Sequence, residues 1–266
     1  MENERIKYTA CPLCDSASIR EFATVNCTGH ARWHEPLNPV MVWMTCAQCG
    51  HTFTDGYFTE EALSVLFEST NDEQIVGLDI EGQRYVSAKM VERVIDALGL
   101  PNGRLWLDVG FGSGSLLLTA KEFGFDVFGV DLRKQNVDDI GSFGIPAHHG
   151  TLESARNQIA FAARPAVISM ADVVEHEPYP LEALRSARAL IQDGGVLLIS
   201  MPNCSAPLWH YWNANNLNPY WHEIEHYHNF TRESLYEVLG KTGFKPRHYT
   251  ISQRYRGCME VLAEAV

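Results

Sequence analysis

The chain has 266 residues, 45% of them hydrophobic, and carries a net charge of −12 with a pI near 5.3. That length allows one large domain or a medium domain with a small appendage, and the apolar fraction suits a sizeable core. An acidic surface without a basic patch argues against nucleic-acid or anionic-membrane partners, no apolar run approaches the roughly 20 residues that span a bilayer, and Met1-Glu2-Asn3-Glu4 does not open a secretory signal.

Residues 1–57 read as a loop-rich module that holds most of the cysteines. Cys11-Pro-Leu-Cys14 and Cys46-Ala-Gln-Cys49 form two C-x-x-C knuckles, whose four thiolates suit tetrahedral zinc in a reducing, cytoplasmic setting. Cys14 and Cys46 stand 32 positions apart, longer than the usual ribbon spacing of roughly 15–20. The excursion leaves room for His30, His34 or His51 to replace a cysteine as ligand. Cys27, Cys204 and Cys258 have no spaced partner and read as small buried hydrophobes. The module has four basic residues against six acidic ones, so its charge offers little to a phosphate backbone.

Residues 58–82 form a connection with a short helical pattern from Thr59. From Gln83 to Leu98, apolar Tyr85, Val86, Met90, Val91, Val94, Ile95 and Leu98 fall at helical spacing; Gly99 closes that helix and Pro101 prevents its resumption.

From Arg104 onward strands and helices alternate. Strand Arg104–Val109 leads to helix Ser115–Phe123, strand Asp126–Val130 and a helix from about Arg133 to Ile140. A short strand near Ile145, helix Glu153–Ala162, strand Ala166–Met170, helix Pro180–Ile191 and strand Val196–Met201 follow. A tail adds helix Glu233–Lys241 and strands His248–Ser252 and Cys258–Ala263. The alternation predicts an α/β fold with a doubly wound, mostly parallel sheet. Ligands of such sheets bind beyond the strand carboxyl ends, where Asp108, Asp131 and Ala171-Asp172 would lie.

The most informative stretch is Leu105-Trp106-Leu107-Asp108-Val109-Gly110-Phe111-Gly112-Ser113-Gly114-Ser115, a buried strand, a glycine loop and a helix start. Glycines at alternate positions let the backbone turn and approach a ligand closely. Asp131, at the end of the second strand, is placed to accept hydrogen bonds from the ribose hydroxyls of a nucleoside. A dinucleotide is one candidate, but Asp108 before the loop would repel a pyrophosphate and would favour a cationic ammonium or sulfonium. S-adenosylmethionine fits that charge; NAD, and with it an oxidoreductase, is the alternative.

With these residues placed, the chain from about 83 to 266 resembles class I S-adenosylmethionine-dependent methyltransferases, in the branch of ubiquinone-biosynthesis O-methyltransferases and related small-molecule enzymes. Asp108–Gly114 matches that family's first motif, Gly129-Val130-Asp131-Leu132 its acidic second one, and Asp172-Val173-Val174-Glu175-His176 its fourth-strand motif. Gln192–Asn203 matches the late turn and strand, with Asp193 where proline is usual, and His228–Leu235 matches the last helix. The resemblance implies a Rossmann-like sheet of seven strands over residues 83–266, with a lid at 203–228, beside a zinc-ribbon module at 1–57. By position it implies that Gly110, Phe111, Gly112 and Gly114 pack their backbone against the methionine part of the cofactor, with Asp108 near its ammonium. Asp131 would bind the ribose, Leu132 would cover one adenine face, Thr151 and Leu152 would read the adenine edge, and Ala171 would leave room beside the sulfonium.

Histidines and aromatics concentrate late in the chain: Trp209, His210, Tyr211, Trp212, Tyr220, Trp221, His222, His226, Tyr227 and His228. Such a lid would enclose an apolar or ring-shaped acceptor. Methyl transfer is an in-line displacement, and an acceptor that must lose a proton needs a base. His176, by its motif position, and His226 and His228, by the lid, are the candidates. His222-Glu223-Ile224-Glu225-His226 also matches the H-E-x-x-H pattern of zinc proteases, and Asn218-Pro219 is able to start a helix there. Its position on the family's own late segment argues against that reading. An RNA methyltransferase that reads its substrate through the ribbon, and a binding module without turnover, are the remaining alternatives.

Overall fold

The computed structural model describes residues 4–67 and 75–266. Five strands come first: β1 (Arg5–Lys7), β2 (Ile19–Asn26), β3 (Val40–Cys46), β4 (Thr52–Thr54) and β5 (Gly56–Phe58). Helix α1 (Glu60–Leu66) starts at Thr59, whose hydroxyl accepts from the Ala62 N–H. An alternating stretch follows: α2 (Ile80–Leu98), β6 (Leu105–Val109), α3 (Ser115–Glu122), β7 (Asp126–Asp131), α4 (Lys134–Gly141), β8 (Ala147–His149), α5 (Leu152–Gln158), β9 (Val167–Ala171), α6 (Pro180–Leu190) and β10 (Val196–Pro202). The last elements are α7 (Pro207–Ala214), β11 (His228–Asn229), α8 (Arg232–Lys241), β12 (Phe244–Ile251) and β13 (Cys258–Ala265). No helix among the described residues is long and apolar enough to cross a membrane.

The described residues fall into two compact units. The first gathers residues 4–67 with Glu175–Pro180 and Pro202–Leu235. Its four-stranded sheet has the order β11-β4-β3-β2, and β1 pairs antiparallel with β5. The segment expected to be loop-rich does hold long turns and loops, and it also carries these five strands. β1, β4 and β5 have three residues each, too few to show an alternation, whereas β2 and β3 have eight and seven.

Residues 203–228, assigned by the sequence to the domain that follows the ribbon, are built into this first unit. His228 pairs with Phe53 across β11 and β4, Thr54 N–H donates to the Tyr227 carbonyl, and Trp43 Nε1 donates to the Trp221 carbonyl. Ile224 and Tyr227 are buried with Trp43, Met41, Phe58 and Leu66 in one apolar cluster. Those aromatics are used in packing the first unit's own core.

The second unit holds the seven-stranded sheet, in the order β12-β13-β10-β9-β6-β7-β8. The five strands from β10 to β8 pair in parallel, and β12 and β13 form an antiparallel hairpin. β9 and β10 are buried along their whole length, as a parallel sheet covered on both faces requires. The chain runs from β6 outward through β7 and β8, then returns to β9 on the other side of β6, so the order reverses between β6 and β9. The carboxyl ends beside such a reversal form the crevice where α/β sheets bind ligands.

Helix α2 buries Ser87, Met90, Val91 and Val94, while Tyr85, expected on that face, is 66% exposed. Ser87 takes its place because its hydroxyl lies 2.9 Å from that of Ser115 at the start of α3. Trp106, fully buried, stands edge-on to Phe125 in the cluster beneath the sheet.

Candidate functional site

The tip of β6 and the loop after it set the geometry. Gly110 and Gly112 both have positive φ, +65° and +53°. A Cβ on Gly110 would lie 2.7 Å from Val173 Cγ2, so this glycine serves both the turn and close packing against the segment after β9. A Cβ on Gly112 would meet nothing closer than the Gly110 carbonyl at 3.9 Å, so that face of the loop is open. Phe111 turns the other way. It is buried, and its ring fills the space that a Cβ on Gly129 would occupy, leaving only its backbone to line the loop.

The Gly112 peptide is held at both ends. Its N–H donates to Asp131 Oδ2 at 3.0 Å, and its carbonyl accepts from Asn136 Nδ2 at 3.1 Å. Asp131 is buried at the end of β7, and its other oxygen accepts from the Arg133 N–H at 2.8 Å and from Arg133 Nε at 3.1 Å. Arg133 Nη2 also reaches Oδ2, at 3.4 Å, so the carboxylate's roughly four lone-pair sites all have a protein donor, and hydroxyl donors would engage it by displacing that long Arg133 contact. Asn136 escaped the sequence reading because it sits inside an otherwise ordinary helical pattern.

Asp108 is 3% exposed. Across the β6–β9 pairing its neighbour is Ser169, whose hydroxyl donates to Asp108 Oδ1 at 2.6 Å and accepts from Trp106 Nε1 at 2.7 Å. Burial pushes the Asp108 carboxyl up to about 7; the Ser169 hydrogen bond and the charge of Arg254 oppose this, and Asp131 adds to it. Asp172 follows β9 at φ +57°, accepts from the Ser200 hydroxyl at 3.2 Å and pairs with Arg254 Nη1 at 3.3 Å. Arg254, between β12 and β13, is thus a charge of this site that no local motif signals.

The other expected cofactor contacts also lie in the second unit. Leu132 is 52% exposed just past β7, as a side chain that covers a ligand face must be. Thr151 caps α5 by accepting from the Ser154 N–H, Leu152 is buried, and Ala171 ends β9. Asp108, the glycine loop, Asp131 and Ala171 stand on neighbouring strands β7, β6 and β9 at their carboxyl ends.

The three expected histidines lie in the first unit. His228 is buried, and both ring nitrogens are engaged: Nε2 lies 3.0 Å from the Glu177 carbonyl and Nδ1 lies 3.0 Å from His51 Nε2. The carbonyl fixes the proton on Nε2, so His51 donates to Nδ1. Burial drives His228 down to about 3. That arrangement ties a neutral His228 to packing, with no nitrogen left for a substrate. His176 Nδ1 lies 2.9 Å from the Glu225 carbonyl, which puts the lone pair on Nε2. His226 is 7% exposed, its Nδ1 has no hydrogen-bond partner among the described residues, and its ring stands edge-on to His176 with centroids 4.6 Å apart.

In the knuckles, Sγ of Cys11 and Cys49 are 3.7 Å apart, and those of Cys14 and Cys46 are 3.6 Å apart. A tetrahedron with metal–sulfur bonds of ~2.3 Å has edges of about 3.8 Å, close to these two separations, and all four sulfurs lie within 4.8 Å of one another. The histidines weighed as substitutes are engaged elsewhere, His51 with His228 and His30 with Glu223. His34 is not among the residues grouped at the cysteines. The H-E-x-x-H segment is not a helix: Asn218-Pro219 starts a single 3₁₀ turn, Pro219–His222, that stops before Glu223. His222 Nδ1 then bonds the Asn26 carbonyl and Glu223 bonds His30, so the motif's groups point to separate partners.

A methyltransferase-domain family matches residues 82–249 of the chain. A ubiquinone biosynthesis O-methyltransferase of Actinobacillus pleuropneumoniae is 32% identical over 109 residues, 38% of this chain and 47% of the relative. One from Bordetella avium is 30% identical over 125 residues, 42% of this chain and 48% of that protein. The chain spans about half the length of the curated relatives it matches. Among solved structures, the 1,6-didemethyltoxoflavin N1-methyltransferase of Burkholderia thailandensis, with bound S-adenosylhomocysteine, superposes with a TM-score of 0.58 at 18% identity, over 83% of this chain and 97% of that one. The magnesium protoporphyrin IX methyltransferase of Synechocystis, also with S-adenosylhomocysteine, gives 0.55 at 18% identity, over 70% and 84%. These neighbours share the fold of the seven-stranded sheet. The chain belongs to the methyltransferase-domain family.

Proposed function

We propose that this protein transfers the methyl group of S-adenosylmethionine to a small-molecule acceptor. The observation that carries the reading is one cradle at the reversal point of the sheet: the Gly112 peptide held by Asp131 and Asn136, with Asp108 buried beside it. Asp131 binds the ribose hydroxyls, the open face of Gly112 admits the methionine chain, Asp108 offsets its ammonium, and Leu132 covers the adenine. The bound cofactor supplies an electrophilic methyl group on a sulfonium. Where the acceptor must lose a proton, His176 and His226 are the candidate bases, because each keeps a ring nitrogen outside the protein's own hydrogen bonds.

A small acceptor agrees with the −12 charge and with a ribbon module of acidic balance, and the relatives' names point the same way. The cysteine tetrad is proposed as a structural zinc site that holds Cys11, Cys14, Cys46 and Cys49 together, and zinc analysis of the purified protein tests it. For the cofactor, titration calorimetry is expected to show S-adenosylmethionine binding that Asp131→Ala weakens about 100-fold, as loss of two charge-assisted hydrogen bonds predicts. Tight binding of NAD without S-adenosylmethionine would replace this reading with the oxidoreductase one.

A further inference from the structure

We propose that Glu175, His176 and His226 form a second metal site, distinct from the cysteine tetrad, that takes a divalent first-row transition ion such as zinc. One donor atom from each of the three lies within 4.8 Å of the others. All three belong to the first unit, Glu175 and His176 on the 3₁₀ turn Val174–His176 and His226 on the segment before β11.

Three independent features mark the cluster as a ligand set. The donors are two imidazoles and a carboxylate, the His₂Glu combination of zinc sites that keep a fourth position open. His176 is oriented the way metal-binding histidines are: Nδ1 is tied to the Glu225 backbone carbonyl at 2.9 Å, which holds the lone pair on Nε2. His226 is more than nine-tenths buried with an unpartnered Nδ1, an arrangement that is costly for a polar atom unless something occupies it. Arg32 opposes a cation less than its charge suggests, because its Nε is paired with Glu225 at 3.0 Å. A tetrahedron with bonds of ~2.1 Å has edges of about 3.4 Å, so closing the cluster on an ion takes roughly an ångström of side-chain rotation.

An ion here commits the lone pairs of His176 and His226, so the loaded metal site and the base role proposed for these histidines exclude one another. The inference does not rest on the methyl-transfer reading, because stoichiometry is measured without turnover. Full-length protein equilibrated with zinc and freed of excess is expected to carry two zinc ions per chain by mass spectrometry, and His226→Ala and Glu175→Gln one each. Cobalt titration of the wild type keeps the test independent of how those variants fold. One equivalent should show thiolate-to-cobalt charge transfer, and a second should add ligand-field absorption without more charge transfer. A single equivalent in the wild type, or two retained in both variants, overturns the proposal.

Discussion

Replacing Asp108 with asparagine separates the stability of the empty cradle from its affinity for a cationic ligand. The carboxyl goes from an ordinary 3.8 to about 7 on burial, which at about 1.4 kcal/mol per decade makes its ionised form about 4 kcal/mol costlier in the folded protein than in the unfolded chain. The folded state therefore binds the extra proton between pH 3.8 and about 7, and wild-type stability falls as pH rises through that window. Asparagine keeps a carbonyl oxygen for the Ser169 hydroxyl and carries no charge. Asp108→Asn should match the wild type below about pH 4 and exceed it by ~2–4 kcal/mol above about pH 7, a melting-temperature gain of roughly 5–10 °C. The same variant should lose an ionised partner for the ammonium and bind S-adenosylmethionine about 10- to 150-fold more weakly. Wild-type affinity should rise with pH up to about 7, since the ligand's cation favours the ionised carboxylate, and the variant's should not. Adenosine, which lacks the amino-acid part, serves as control. Thermal unfolding from pH 4 to 9 with calorimetry at matched pH reads both effects. Parallel stability curves, or equal weakening of adenosine and S-adenosylmethionine, would refute the assigned role.

Gly112→Ala should cost only about 1–2 kcal/mol of stability, for the positive φ alone, yet lower S-adenosylmethionine affinity at least tenfold; Gly110→Ala, which also meets Val173, should cost more in urea unfolding. Ser169→Ala strands both Trp106 Nε1 and Asp108 Oδ1 and is expected to cost ~2–4 kcal/mol by the same measurement. His228, lowered to about 3, makes the first unit lose stability as pH falls below about 6.5, because the unfolded chain then binds the proton the fold excludes. His228→Gln should flatten that acid limb, read by tryptophan fluorescence. Chelation of zinc, or Cys11→Ser with Cys46→Ser, should shift the same fluorescence through Trp43 and leave the far-ultraviolet signal of the parallel sheet largely in place.

The second unit was legible because its information is local. Each of β6, β7, β9 and β10 is predominantly apolar, with Asp108, Ser169 and Ser200 the polar positions inside β6, β9 and β10, and the loop between Asp108 and Ser115 carries its own turn chemistry. The helix starts and ends fell within a few residues of their expected positions, and Gly99 does cap α2. What escaped depends on partners distant in sequence. Arg254 reaches Asp172 across 82 positions, and Trp106, Ser169 and Asp108 become one relay only through the β6–β9 register. The aromatic stretch at 203–228 looked like a covering segment because nothing in it names the strand it joins; its packing is set by β4 and Trp43, more than 170 residues earlier. His228 looked reactive for the same reason, since the partners that occupy its nitrogens, His51 and the Glu177 carbonyl, are read only from the fold.

The central claim is methyl transfer to a small acceptor. Its most direct measurement incubates the full-length protein and S-adenosylmethionine, labelled on the transferred methyl, with a cell extract separated into dialysable molecules, RNA and protein. The account predicts label in the dialysable fraction, lost with Asp131→Ala. Label confined to RNA or protein, or none in any fraction despite tight cofactor binding, would contradict it.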